Sequence, residues 1–217
     1  MVTLECSALL FDLDDTLVLS TPSIEASWHE FTDRYGIDFD KVRKLLPGRR
    51  GRDILSTIMP ELTAEQVADE LKTIRCNEIA AATTIMPVPG AATLIHSLPR
   101  HRWAVVTAAP RKVMESRLYG AGLPIPAVAV CAENVREGKP SPEGFLVAAQ
   151  ELAADPAHCL AFEDSAVGFR ALKEAKIMTV AIGKSPHVHG CDIIASIPDY
   201  EGIMIKEMDS CIRIVVP

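Results

Sequence analysis

The chain has no surplus of positive charge, no long apolar run, no paired-cysteine motif and no internal repeat. Each absence removes a class of function. With Lys+Arg 22 against Asp+Glu 29 the formal net charge is -7, which argues against a nucleic-acid partner, because such partners are met by a basic face. No stretch approaches the ~20 apolar residues of a membrane-spanning helix. The apolar run near the amino terminus is cut at Asp12, so neither a membrane span nor a secretory leader is expected. Cys6, Cys76, Cys131, Cys159, Cys191 and Cys211 are scattered without a CxxC pair. Buried free thiols in a reducing cytoplasm are therefore the expectation.

What the chain does contain is ordinary for a globular protein: 217 residues, 48% hydrophobic and 24% charged. That length allows one elaborated domain or two. An apolar segment over 7–10 reads as a buried strand. The next sixty residues are helical in character. Ser20-Thr21-Pro22 forms a helix start and Gly36 a stop. Thr63-Ala64-Glu65-Gln66 is a capping box, and the basic loop 47–53 opens a further helix between them. From Pro87-Val88-Pro89-Gly90 onward, strands at 102–107, 127–131, 159–163 and 178–182 alternate with helices starting near Ala91, Pro110, Pro142 and Ala166. Such alternation predicts βαβ units and a parallel sheet, with the short apolar runs buried on both faces. Segments 203–206 and 211–216 flank Glu207-Met208-Asp209-Ser210, which predicts a C-terminal β-hairpin.

Asp12, Asp14 and Asp15 fall at the carboxyl end of the first strand, where open α/β sheets bind their ligands. Thr16 and the turn-tolerant Asp15 permit a bend there. Carboxylates this close repel unless a cation or a proton intervenes, and a divalent metal is the simplest answer. Alone, the aspartates would serve equally well as helix caps. Three later strand ends change the balance: Thr107 after Val105-Val106, Lys139 within Gly138-Lys139-Pro140, and Glu163-Asp164-Ser165. Thr107 and the following backbone N–H of Ala108 can receive phosphoryl oxygens near a helix start. Gly138 and Pro140 form a tight loop that can point Lys139 into a site.

Taken in order, these four segments resemble the motifs of the haloacid dehalogenase superfamily, across nearly the whole chain. The resemblance implies an α/β fold: a doubly wound, Rossmann-like parallel-sheet core (1–18 and 84–217) and a small inserted helical cap (19–83). It further implies that Asp12 is a nucleophile forming an aspartyl-phosphate, and that Asp14 protonates the leaving alkoxide and then activates water. Thr107, Ala108 and Lys139 would hold the phosphate. Mg2+ would be held by Asp12, Asp164, the main-chain carbonyl of Asp14, and Glu163 either directly or through a water. Asp15 stands where the family more often has glycine.

Asp14 sets aside the dehalogenases proper, whose halide leaving group needs no proton. Phe162-Glu163-Asp164-Ser165-Ala166-Val167-Gly168 resembles the β-phosphoglucomutase-like branch. Met86-Pro87-Val88-Pro89-Gly90 and Gly122-Leu123-Pro124 look like that branch's sugar and polyol phosphatases. The expected activity is Mg2+-dependent hydrolysis of a small phosphorylated sugar or polyol, with no nucleic-acid or membrane partner; a monomer is compatible with this. The alternatives are a sugar phosphomutase with a second phosphate site in the cap, and a non-catalytic phosphometabolite sensor. Of Arg49, Arg50 and Arg52 in the cap loop, Arg52 is the expected substrate contact, because it begins the helix carrying Ile54 and Leu55. Hinges are expected at 17–22 and 83–89. His187-Val188-His189 reads as surface loop, and Lys41, Lys44 and Lys72 are not expected to form a Schiff base.

Overall fold

The computed structural model describes residues 1–183 and 193–217. In chain order the strands are β1 (Val2–Cys6), β2 (Ala8–Phe11), β3 (Val18–Leu19), β4 (Met86–Pro87), β5 (Trp103–Val106), β6 (Val128–Val130), β7 (Cys159–Glu163), β8 (Met178–Ile182), β9 (Ile193–Ile197), β10 (Met204–Glu207) and β11 (Ile212–Val216). The α-helices are α1 (Thr21–Tyr35), α2 (Phe39–Arg43), α3 (Gly51–Ile58), α4 (Ala64–Ala80), α5 (Ala91–Ser97), α6 (Arg111–Gly120), α7 (Glu143–Glu151) and α8 (Ala166–Ala175).

Six strands form one parallel sheet in the order β6-β5-β2-β7-β8-β9. From β2 the chain builds outward first through β5 and β6, then returns to lay β7, β8 and β9 on the other side. The order therefore reverses beside β2, which opens a crevice at the carboxyl ends of β2, β5 and β7. Alternate residues explain why helices cover both faces. Leu9, Phe11, Trp103, Val105, Leu160 and Phe162 enter one core with Leu94 and Ile95 of α5 and Met114 and Leu118 of α6. Leu10, Ala104, Val106 and Ala161 enter another with Phe145 of α7 and Leu172 of α8. Phe11 and Phe162 stack with ring centroids 5.0 Å apart. At about 1.5–3 kcal/mol for each fully buried Leu, Val or Phe side chain, this double burial holds the strand ends still.

The helical insert has its own small core of Trp28, Phe31, Val42, Ile54, Leu55 and Ile74. Its starts and stops follow from local chemistry. Proline lies in the first turn of α1, and Gly36 ends that helix in the left-handed region. Thr63 and Gln66 make the reciprocal capping box of α4. Where the chain leaves and re-enters the sheet domain, Val18–Leu19 pairs antiparallel with Met86–Pro87, and Val88 N donates to Leu17 O at 2.9 Å. The two crossings, expected as separate hinges, are thus bonded to each other.

The carboxyl-terminal hairpin forms as expected, β10 pairing with β11. It gains a third strand that the sequence reading passed over, because β1 pairs with β11 in register Val2↔Val216. The reading also missed β9. The His187-Val188-His189 segment and Cys191 lie outside the described residues.

Candidate active site

β2 ends at Phe11, and Asp12 N still donates to Phe162 O at 3.0 Å, so the first carboxylate is seated on the sheet edge. The chain then turns through Asp15, which adopts φ 56. That left-handed conformation accounts for glycine's usual place here, and Asp is among the few side chains that tolerate it. The Asp15 carboxylate is occupied elsewhere. It accepts from Ser20 N (3.1 Å), Thr21 N (3.2 Å) and the Thr21 hydroxyl, and so caps α1.

Asp12, Glu163 and Asp164 place carboxylate oxygens within 4.8 Å of one another. Lys139 reaches between them, its Nζ 2.5 Å from Asp12 Oδ1 and 2.7 Å from Glu163 Oε2. Glu163 is wholly buried and fully engaged. Its Oε1 accepts from Asp164 N (3.2 Å), Ser165 N (2.9 Å) and Ser165 Oγ (2.7 Å), while Oε2 takes Lys139. Gly168 makes room for it, since a Cβ there would stand 2.0 Å from Glu163 Cδ. Glu163 therefore anchors Lys139 and the Asp164–Ser165 turn, and the direct metal ligation raised above as one alternative would have to displace these donors. Asp164 Oδ1 accepts from Thr16 Oγ1 at 3.2 Å, which links the first and last motifs.

The electrostatics follow from this crowding. Burial foremost, then the charge of Glu163, push the Asp12 pKa up against the opposing pull of Lys139. Burial and the neighbouring Glu163 and Asp12 do the same to Asp164. Burial works against the Lys139 ammonium, but Asp12 and Glu163 outweigh it and hold its pKa above the ordinary value. One ammonium among three carboxylates leaves excess buried negative charge. With Glu163 saturated, Asp12 and Asp164 are the oxygen donors left to face a cation. Hard oxygen ligands few in number suit Mg2+, so the residues present fit that ion.

Thr107 is buried at the end of β5, and its Oγ1 accepts from Ala109 N at 3.0 Å. Thr107, Ala108 and Lys139 line a small pocket on the Lys139 side of the crevice, so the residues expected to hold phosphate do meet. Asp14 stands apart from the carboxylate cluster. Its Oδ1 accepts from Ser20 Oγ (2.6 Å) and Arg117 Nη1 (2.7 Å), and Arg117 Nη2 lies 3.2 Å from Glu78 Oε1 of α4. The sequence reading assigned neither Arg117 nor Glu78. The only signal was a lone arginine among the buried apolar positions Val113, Met114 and Leu118 of α6.

Above these groups lies a cavity of about 440 Å³, walled by the insert. Arg52 lines it as an exposed side chain, together with Arg49 and Arg43. Arg50 does something else. Buried, it pairs with Asp53 at 2.7 Å and donates Nη1 to Val135 O (3.3 Å) and Arg136 O (3.0 Å). A Cβ on Gly138 would fall 2.7 Å from its Nε, so Arg50 rests on the loop that carries Lys139. Lys41, Lys44 and Lys72 are exposed and do not line the cavity.

With this geometry in view, the likenesses are specific. The model of the haloacid dehalogenase-like hydrolases matches residues 6–176. Hexitol phosphatase A of Escherichia coli (strain K12) is 31% identical over 196 residues, 88% of this chain and 91% of that protein. Validoxylamine A 7'-phosphate phosphatase of Streptomyces hygroscopicus subsp. limoneus is 33% identical over 183 residues, 80% of this chain and 84% of its own length. The crystal structure of CbbY from Rhodobacter sphaeroides in complex with phosphate superposes with TM-score 0.79 at 25% identity, covering 90% of this chain and 95% of that one. The chain belongs to the haloacid dehalogenase-like hydrolases.

Proposed function

We propose that this protein is a Mg2+-dependent phosphatase that hydrolyses a small sugar or polyol phosphate through an aspartyl-phosphate on Asp12. One observation carries the reading: Asp12 and Asp164 line the cavity together, Lys139 pairs with Asp12 from the small pocket beside it, and Asp14 is held separately by Ser20 and Arg117. The names of the relatives support the substrate class. The division into a core of 1–18 and 84–217 and a cap of 19–83 belongs to the same reading. So does a cytoplasmic setting, supported by the free Cys6, Cys76, Cys131, Cys159 and Cys211. Among the described residues no helix is long and apolar enough to cross a membrane.

In this mechanism the phosphate dianion enters beneath the cap and is received by Thr107, the Ala108 N–H and Lys139. Asp12 attacks phosphorus with its free Oδ2, Oδ1 being held by Lys139. Asp14 gives a proton to the departing alkoxide, then takes one from the water that cleaves the aspartyl-phosphate. Mg2+, held by Asp12, Asp164 and the main-chain carbonyl of Asp14, would neutralise charge between nucleophile and phosphoryl group. Glu163 keeps Lys139 and the Asp164 turn in place.

The test is phosphate release from a panel of phosphorylated metabolites, with Mg2+ and with excess chelator. Hydrolysis of sugar or polyol phosphates that requires Mg2+ is expected. Phosphate transfer within a sugar without net release would instead indicate a mutase. Binding without turnover of any member would indicate a sensor.

A further inference from the structure

We propose that Arg117 is a positioning residue for the reaction: by holding Asp14 Oδ1 it fixes which carboxylate oxygen faces the leaving group, and through Glu78 it ties that orientation to the cap. The inference rests on the acid role proposed for Asp14.

Arg117 is 2% exposed and sits on α6 of the sheet domain. It and the Ser20 hydroxyl both donate to Asp14 Oδ1, at 2.7 and 2.6 Å. An oxygen that accepts two such short bonds has no lone pair free for a proton of its own. Oδ2, which has no protein partner among the described residues, is therefore the oxygen left to exchange a proton with the leaving group, on a side chain that lines the cavity. As the phosphorus–oxygen bond of the substrate breaks, its electron pair goes to the leaving oxygen. That oxygen takes the proton from Oδ2 and leaves Asp14 ionised and ready to activate water.

The rest of the guanidinium is arranged poorly for stability. Among the described residues Nε and Nη2 have no hydrogen-bond partner, and Nη2 meets Glu78 Oε1 at 3.2 Å as an ion pair. A buried cation that leaves donors unbonded is destabilising relative to an apolar side chain of similar size. What it holds lies on three different parts of the chain. Glu78 belongs to α4 of the insert, Ser20 to the crossing into the insert and Arg117 to the sheet domain. A shift of the insert consequently changes both the donors to Asp14 and the counter-charge behind them.

The experiment measures kcat and KM, with Mg2+, on the sugar or polyol phosphate hydrolysed fastest in the panel above and on 4-nitrophenyl phosphate, whose phenolate departs without a proton. Arg117→Met should lower kcat on the former by about 100-fold, within the range of general-acid contributions, with little change in KM. On the aryl ester it should lose much less. Arg117→Lys should recover part of the loss, Ser20→Ala should show the same split in weaker form, and Arg117→Met added to Asp14→Asn should cause no further loss. Equal losses on the two substrates in folded Arg117→Met, or additivity with Asp14→Asn, would overturn the inference. Should Arg117→Met not fold, the split in Arg117→Lys and Ser20→Ala decides in the same way. If Asp14→Asn itself shows no split, the acid role fails and the inference falls with it, a result distinct from a split in Asp14→Asn that the other variants lack.

Discussion

The floor and the wall of the cavity are built on different principles. At the floor Asp12 and Asp164 line the cavity, and Lys139 pairs with Asp12 and Glu163 beside it; all four sit at strand ends or on the short loop next to them. Arg43, Arg49 and Arg52 stand on a helical insert with a core of its own, joined to the sheet domain through two bonded crossings. The floor is held by a twofold-buried sheet and can keep reacting groups aligned. The wall meets the sheet domain at a few side chains, among them Arg50 on Val135 and Arg136 and Glu78 on Arg117. In the proposed mechanism chemistry belongs to the floor and selection of the alcohol to the wall, with Arg50, Arg117 and Glu78 along the seam between them.

The largest break in this comparison comes from the floor. Asp12→Asn preserves shape but removes the attacking charge, and turnover should drop by orders of magnitude on every substrate with the fold intact; steady-state rates beside circular dichroism check this. Lys139→Met should cost about 10²–10³ in kcat by removing a cation from the transferring phosphoryl group. It also leaves Asp12 and Glu163 buried without their partner, so urea unfolding should show a stability loss of about 3–5 kcal/mol.

Substitutions of Arg50 and Arg52 should be smaller, and only the one in the wall should depend on substrate. Arg50→Ala releases the loop that carries Lys139 and should lower kcat/KM about tenfold on sugar and aryl phosphates alike. Arg52→Ala should weaken the sugar phosphate and spare the small aryl ester, because only the larger substrate reaches the wall. Swapped patterns for these two arginines would exchange their roles.

The smallest effect is expected from Glu78, in the dependence of stability on pH. Burial raises the Glu78 pKa, in spite of the nearby Arg117. The folded state then binds more protons than the unfolded chain, so this group's contribution to stability declines as pH rises from the ordinary carboxylate range through its raised folded value. Glu78→Gln should flatten that part of the curve of unfolding free energy against pH; an unchanged slope would show that Glu78 keeps an ordinary pKa.

The same contrast explains what could be read from the chain. The floor was legible because its residues follow short apolar strands and each sits within a few positions of a motif: Asp12 after Phe11, Thr107 after Val106, Asp164 after Glu163. The parallel sheet and the hairpin were legible through alternation. The seam was not. Arg117 meets Asp14 across 103 positions, and only its place on the apolar face of α6, beside Val113, Met114 and Leu118, sets it apart from a surface arginine. Arg50 and Arg52 differ by two positions in one basic loop, so periodicity could not say that Arg50 turns inward onto Val135 and Arg136 while Arg52 stays exposed. Strands β1 and β9 escaped because β1 depends on a distant partner and β9 follows a stretch whose Ser, Pro and Gly read in sequence as a break.

The most direct test of the division between floor and wall is to locate the phosphoryl group in mid-reaction. Asp14→Asn enzyme with Mg2+ and an aryl phosphate, quenched in acid within the first turnover, should yield a phosphorylated peptide modified at Asp12, and the Asp12→Asn variant should yield none. Phosphate on any other residue, or steady hydrolysis by the native protein with no phosphorylated Asp12 in rapidly quenched samples, would contradict the account.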